Sequence, residues 1–171
     1  KSYAMDVGLI WPFELRLVNS QGAIITQNDG LRVTNMDRIR KIGNEIPKWL
    51  RGRSEKDAAN SEIYRIPDRE NFIRAWVGST SPDNATKICR GQTDLQQNWD
   101  EIAYCPNFGI SLPAASAAGA RARWDAELRG DPYGSMFGTT AGRRDTRDGK
   151  FAYDMMLDAA PWSESYLDLK N

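Results

Sequence analysis

Apolar and polar positions change their period several times along this chain. Phe13 to Val18 alternates apolar and polar residues, which predicts a half-buried strand. Asn19-Ser20-Gln21-Gly22 carries turn chemistry, and Ala23-Ile24-Ile25-Thr26 reads as a return strand. Asn28-Asp29-Gly30 marks a second turn before a short Leu31-Arg32-Val33. From Met36 the spacing becomes helical through Ile39, Ile42, Ile46 and Leu50, with Thr34 or Asn35 as the cap and Pro47 as a break.

Further along, Ser54 to Tyr64 reads as a short capped helix. A second helix follows Pro67-Asp68, with Phe72, Ile73, Trp76 and Val77 on its apolar face. Gly78 to Asn84 is loop by composition. Thr93 and Gln96 fit a capping box, and Leu95, Trp99 and Ile102 recur at helical spacing up to Pro106. Pro113 to Arg129 predicts an alanine-rich helix closed by Gly130. Gly130 to Lys150 is read as a long irregular segment. Phe151 to Ala160 fits either a helix or a strand, and Trp162 with a short tail closes the chain.

Together these elements predict an α+β fold, a mainly helical single domain with a small N-terminal antiparallel sheet. Its parts are a β-meander over 1–33, a helical core over 34–130, a Gly/Arg-rich loop over 131–149 and a C-terminal segment over 150–171. A chain of 171 residues suits one domain with a core of its own.

Composition narrows the chemistry more than it identifies it. The chain has no histidine, which removes Ser–His–Asp and Cys–His catalysis and every His-containing metal site. Two cysteines cannot form a four-cysteine zinc site, so no metal and no cofactor are expected. The formal charge of zero argues against nucleic acid as a partner. Residues 31–53 are locally basic, and a salt-sensitive nucleic-acid contact through Arg40, Lys48 and Arg51 is the reading set against a solvated helix face. No apolar run is long enough to span a bilayer. Lys1 in place of Met is compatible with a removed signal or anchor segment.

Cys89 and Cys105 flank the segment CRGQTDLQQNWDEIAYC. Arg90-Gly91-Gln92 could reverse the chain and bring them together, so a Cys89–Cys105 disulfide is expected, and with it a secreted or cell-surface location. Asn84-Ala85-Thr86 fits a glycosylation sequon, to which little weight attaches.

Six tryptophans, at 11, 49, 76, 99, 124 and 162, are assigned by position. Trp76, Trp99 and Trp124 fall on apolar helix faces and are assigned to the core. Trp11 and Trp162, each beside a proline, are assigned to the surface.

No catalytic constellation stands out. Glu101, with Asp100 adjacent, is the candidate for carboxylate chemistry, although neighbours on a helix diverge and do not make a pair. The leading expectation is therefore a non-catalytic, surface-exposed protein-interaction module, one subunit of an assembly or self-associating. Tyr133, Phe137, Arg143, Arg144 and Arg147 of the long loop are its expected partner contacts.

The rival is an extracellular enzyme or toxin domain built on carboxylate or NAD chemistry. Tyr64-Arg65, Asp68-Arg69, Phe72 and Gly78-Ser79-Thr80-Ser81 resemble pieces of the ADP-ribosyltransferase toxins over about 20 residues. That family joins an arginine strand, a Ser-Thr-Ser strand and a Glu/Gln-x-Glu turn. Here the serine motif follows the arginine too closely, and Asp125-Ala126-Glu127 is the nearest approach to the turn.

Overall fold

The computed structural model describes residues 2–52, 60–161 and 163. A five-stranded sheet in the order β2-β3-β1-β4-β5 runs through the molecule. Its strands are β1 (Gln21–Thr26), β2 (Ile63–Ile66), β3 (Asn71–Val77), β4 (Asp94–Asp100) and β5 (Gly134–Gly138). The central β1 is parallel to both β3 and β4, β5 is parallel to β4, and β2 alone is antiparallel, at the β3 edge.

Helices cover both faces of this sheet. On one face lie α1 (Ser2–Leu15) and α2 (Asp29–Glu45), around a core of Leu9, Ile10, Phe13, Ile24, Met36, Ile39, Tyr64 and Ile73. On the other lie α4 (Phe108–Arg129) and α5 (Arg147–Leu157), around Ala23, Ile25, Trp99, Phe108, Ala115 and Ala152. The one-turn α3 (Pro82–Ala85) joins β3 to β4. Ile24 thus faces one layer while Ala23 and Ile25 face the other, so β1 is buried on both sides.

Two glycines set how closely helices approach this sheet. A Cβ on Gly22 would lie 2.8 Å from the Phe13 ring, so α1 can rest on β1 only because that side chain is missing. A Cβ on Gly119 would lie 2.4 Å from the Asp94 carbonyl oxygen, which fixes the contact of α4 with β4 in the same way.

The expected mainly helical α+β domain with a small antiparallel sheet is therefore corrected to a doubly wound α/β fold with a mostly parallel sheet. Phe13 to Val18 begins inside α1 instead of forming a strand, and Leu31 to Val33 belongs to α2, which is capped by the Asn28 side chain at Leu31 N. The 1–33 meander thus does not exist. The segment Phe72–Val77, read as a helix, is strand β3, because Ile73 and Ala75 alternate with Phe72, Arg74 and Trp76 across a pleat.

The cysteine-flanked segment is strand β4, not a capped helix. All seven of its residues are buried, so the alternation that reveals a half-buried strand is absent. The expected 131–149 loop holds β5 and the start of α5. The helix ending at Gly130 forms as expected, with Gly130 in left-handed geometry at its C-cap. Residues 53–59, most of the Ser54–Tyr64 helix, and Trp162 lie outside the described residues.

Cys89 and Cys105 are both buried free thiols, so the expected disulfide is also corrected. Burial pushes both thiols up, Cys105 to about 12, which marks them as inert packing residues. Among the described residues, no helix is long and apolar enough to cross a membrane. Trp99 is fully buried and meets Phe108 edge-on at 5.3 Å, but Trp124 is 51% exposed, against expectation. Trp11 is exposed as expected.

Candidate functional site

In open parallel sheets, ligands bind outside the carboxyl ends of the strands, where successive crossovers depart in opposite directions. That point lies here between β1 and β4. The chain leaves β1 through α2 on one face and leaves β4 through α4 on the other. Thr26 ends β1 and Asp100 ends β4, so both sit at this crevice. The Thr26 hydroxyl lies within hydrogen-bond range of the carbonyls of Asn28 and Trp76, tying the β1 end to β3.

Helix α1 runs antiparallel to these strands and brings its N-terminal turn to the same edge. The Asn98 side chain donates to the Met5 carbonyl at 2.8 Å, and a Cβ on Gly138 would lie 2.5 Å from the Met5 sulfur. The unpaired N–H groups of such a first turn favour anions.

Asp100 is buried, and its two oxygens differ. Oδ2 accepts from Asn35 Nδ2 of α2 at 3.1 Å. Oδ1 has no hydrogen-bond partner among the described residues. A buried carboxylate oxygen left unpaired costs free energy, and a bound ion or ligand is one way such a group is satisfied.

The next residue, Glu101, adopts left-handed backbone geometry with φ 57°, an uncommon state for a non-glycine residue. Its Oε2 accepts the Thr140 backbone N–H at 2.9 Å and the Thr140 hydroxyl at 3.0 Å. Thr140 follows β5, so Glu101 ties the ends of β4 and β5 together. The segment from Glu101 to Asn107 is tied in further: Ala103 N–H donates to Thr139 Oγ1, Tyr104 donates to the Ala141 carbonyl, and Asn107 donates to the Ser79 and Thr80 carbonyls.

Near Asp100 lies a partly buried ion pair. Arg38 of α2 donates through Nε to the Asp6 carboxylate of α1, and through Nη2 to Asn35 Oδ1 at 2.8 Å. Burial raises Asp6 to about 6; Arg38 pulls it down and the Asp100 charge adds to the rise. Among the described residues no group of three or more acids or thiols is placed to hold a metal by itself.

The expected partner contacts are spread over β5, the segment after it and the start of α5. Tyr133 lies just before β5 and Phe137 near its other end, where Phe137 meets Phe108 at 6.3 Å. Arg143 pairs with Asp145, and Arg144 stacks on Tyr153 at 3.8 Å. Arg147 opens α5 on the surface. In the basic segment, Arg40 bonds the Ile63 carbonyl and Arg51 those of Ile46 and Asn44. Glu127 lies in the last turn of α4, well away from Glu101 in sequence and element.

Sequence reasoning named Asp100 and Glu101 but placed them on a helix, and it missed Thr26, Asn35, Arg38 and Thr140. The legible signal was an acid pair directly after an apolar tryptophan, which becomes informative once that tryptophan lies on a strand.

No protein-family model matches the chain, and no curated protein matches it in sequence. The fold is similar to that of a mutant large terminase ATPase domain from a Thermus phage, with a TM-score of 0.53 at 15% identity. That match covers 95% of this chain and 63% of the terminase chain, so the chain spans less than two thirds of that structure. A large terminase from the thermophilic bacteriophage D6E gives a TM-score of 0.46 at 11% identity, over 94% of this chain and 43% of that one.

The chain therefore has a doubly wound α/β fold similar to that ATPase domain. With this fold and no disulfide, the expectation of a non-catalytic, disulfide-bonded extracellular module is withdrawn.

Proposed function

We propose that this chain is the core of a nucleoside-triphosphate-hydrolysing domain of the terminase ATPase kind. The observation that carries the reading is the unpartnered Oδ1 of Asp100 at the switch point, beside the N-terminal turn of α1. The similarity to an ATPase domain supports it at the level of fold.

In this reading the first turn of α1 faces the phosphates, because its free N–H groups and dipole favour negative charge. A magnesium ion suits one carboxylate plus substrate phosphates, and Asp100 Oδ1 is the group that would hold it. When bound, such an ion offsets charge on the phosphoryl oxygens. Glu101 orients the attacking water and takes its proton as the new P–O bond forms and the bond to the departing diphosphate breaks. Its left-handed backbone and the two bonds from Thr140 fix its carboxylate before substrate arrives. The phosphate contact assigned here is the first turn of α1.

A protein partner remains part of this reading. Exclusion of nucleic acid does not, because a net charge of zero describes the whole chain and not any one face.

The test is ATP hydrolysis and nucleotide binding by the full protein that carries this chain. Glu101→Gln should lower kcat at least ~100-fold with nucleotide binding retained, as expected for a group acting in the transition state. Asp100→Asn should abolish magnesium-dependent binding. Wild-type turnover in both variants, or no nucleotide-dependent signal in the wild type, sinks the proposal.

A further inference from the structure

We infer that Asn35 and Arg38 of α2 are positioning residues that hold Asp100 with Oδ1 presented to a divalent cation; this rests on the nucleotide-hydrolase reading above.

The geometry fixes the direction of every bond in the relay. Arginine can only donate, so the Asn35 atom facing Arg38 Nη2 at 2.8 Å must be the carbonyl oxygen. The Asn35 amide nitrogen therefore faces Asp100, donating to Oδ2 at 3.1 Å. That bond occupies Oδ2 and leaves Oδ1 the oxygen without a partner. Asn35 is 1% exposed, so water does not compete for its amide. Arg38 is held in turn by Asp6 and lies over the Tyr3 ring at 5.5 Å.

This arrangement also solves a charge problem. A guanidinium in direct contact with Asp100 would satisfy the carboxylate and compete with a cation for it. Placing a neutral amide between them, with Arg38 paired to Asp6, delivers a donor to Asp100 without a guanidinium in direct contact with it. Outer partners of metal-binding carboxylates act in this way, orienting the ligand without touching the metal. Asp6 belongs to α1 and Asp100 to β4, so the relay also fixes the α1 turn relative to the carboxylate.

The test uses manganese as a spectroscopic probe. Binding of Mn²⁺ to the full protein with a non-hydrolysable ATP analogue is followed by electron paramagnetic resonance, and urea unfolding is measured in parallel. Asn35→Ala should weaken Mn²⁺ binding about tenfold, within the range for loss of an outer partner. Arg38→Lys should give a smaller loss, since a lysine retains the charge toward Asp6 but not the fork that reaches Asn35. Asp100→Asn is the reference variant.

If Asp100→Asn loses Mn²⁺ while Asn35→Ala binds it like the wild type, Asn35 is structural and the inference is overturned, although the nucleotide-hydrolase reading stands. A loss of urea stability in Asn35→Ala with unchanged Mn²⁺ affinity overturns it equally. If Asp100→Asn itself binds Mn²⁺ normally, both readings fall.

Discussion

A single oxygen of Glu101, Oε2, accepts both the backbone N–H and the hydroxyl of Thr140, at 2.9 and 3.0 Å. One of these donors belongs to the backbone and survives substitution by any residue except proline; the other belongs to the side chain. Thr140→Val removes only the hydroxyl while conserving shape. Under the nucleotide-hydrolase reading it should lower kcat about tenfold and leave KM within about twofold, because a misoriented general base affects the chemical step and not binding. Thr140→Ser should restore most of the rate. Steady-state kinetics on the three proteins decide the point, and a valine variant with wild-type kcat would show the clamp to be unimportant.

Asp94 offers a test of stability against pH. It is fully buried at the start of β4, with no hydrogen bond from a nitrogen or oxygen donor among the described residues. Burial raises its pKa to about 6, opposed by the weak donor Cys89 and the charges of Arg123 and Arg74. Its folded value lies above the unfolded one of 3.8, so the native state holds the extra proton. Its contribution to stability is full below about pH 4 and is lost as pH rises through 6. Asp94→Asn, which cannot ionise, should therefore be more stable than the wild type by roughly 2 kcal/mol at pH 8 and nearly equal to it at pH 4. Urea melts at the two pH values measure this; an equal difference at both would show that the carboxylate does not titrate in this range.

The free thiols predict a simple mass measurement. Cys89 and Cys105 should both resist alkylation in the folded protein and both react in urea without reductant, because they are buried and unbridged. Modification in urea only after reduction would establish a bridge and overturn their assignment as free thiols.

Tyr64 donates to Glu14, a fully buried carboxylate that also accepts the Gly52 N–H at 3.1 Å. Tyr64→Phe deletes one donor to this buried side chain and should cost about 2 kcal/mol. Gly43→Ala should cost at least as much, since its Cβ would fall 2.0 Å from the Tyr64 hydroxyl. Thermal melts of both variants test this, and a Gly43→Ala protein as stable as the wild type would contradict the packing described.

Deleting part of 131–149 is expected to unfold the domain. In the structure that stretch supplies β5, which pairs with Gln96 to Asp100. It also supplies Thr139 and Thr140, which bond Ala103 and Glu101. A folded deletion variant by circular dichroism would show that β5 is not needed for the sheet.

Local chemistry alone determined several elements. Gly130 ends α4 because a glycine takes left-handed geometry cheaply, and Ala23 to Thr26 is a strand because aliphatic β-branched residues suit the pleat. The absence of histidine likewise fixed which chemistries were closed. Tertiary structure decided the rest.

β4 carries Asp94, Gln96, Gln97, Asn98 and Asp100, residues that disfavour strands and show no alternation because both faces are buried. Several of their partners come from distant elements: Asn98 bonds Met5 of α1, Gln97 bonds Ala115 of α4, and Asp100 bonds Asn35 of α2. Such a strand is stable only within its sheet and between its helices, and no window of neighbouring residues contains that information. Conflict between local preference and global fold is expected at functional segments, and the candidate residues Asp100 and Glu101 stand at the end of this strand. The sequence alone supplied two adjacent acids; parallel pairing of β4 with β1, set by contacts far apart in the chain, placed them at the carboxyl end of the sheet.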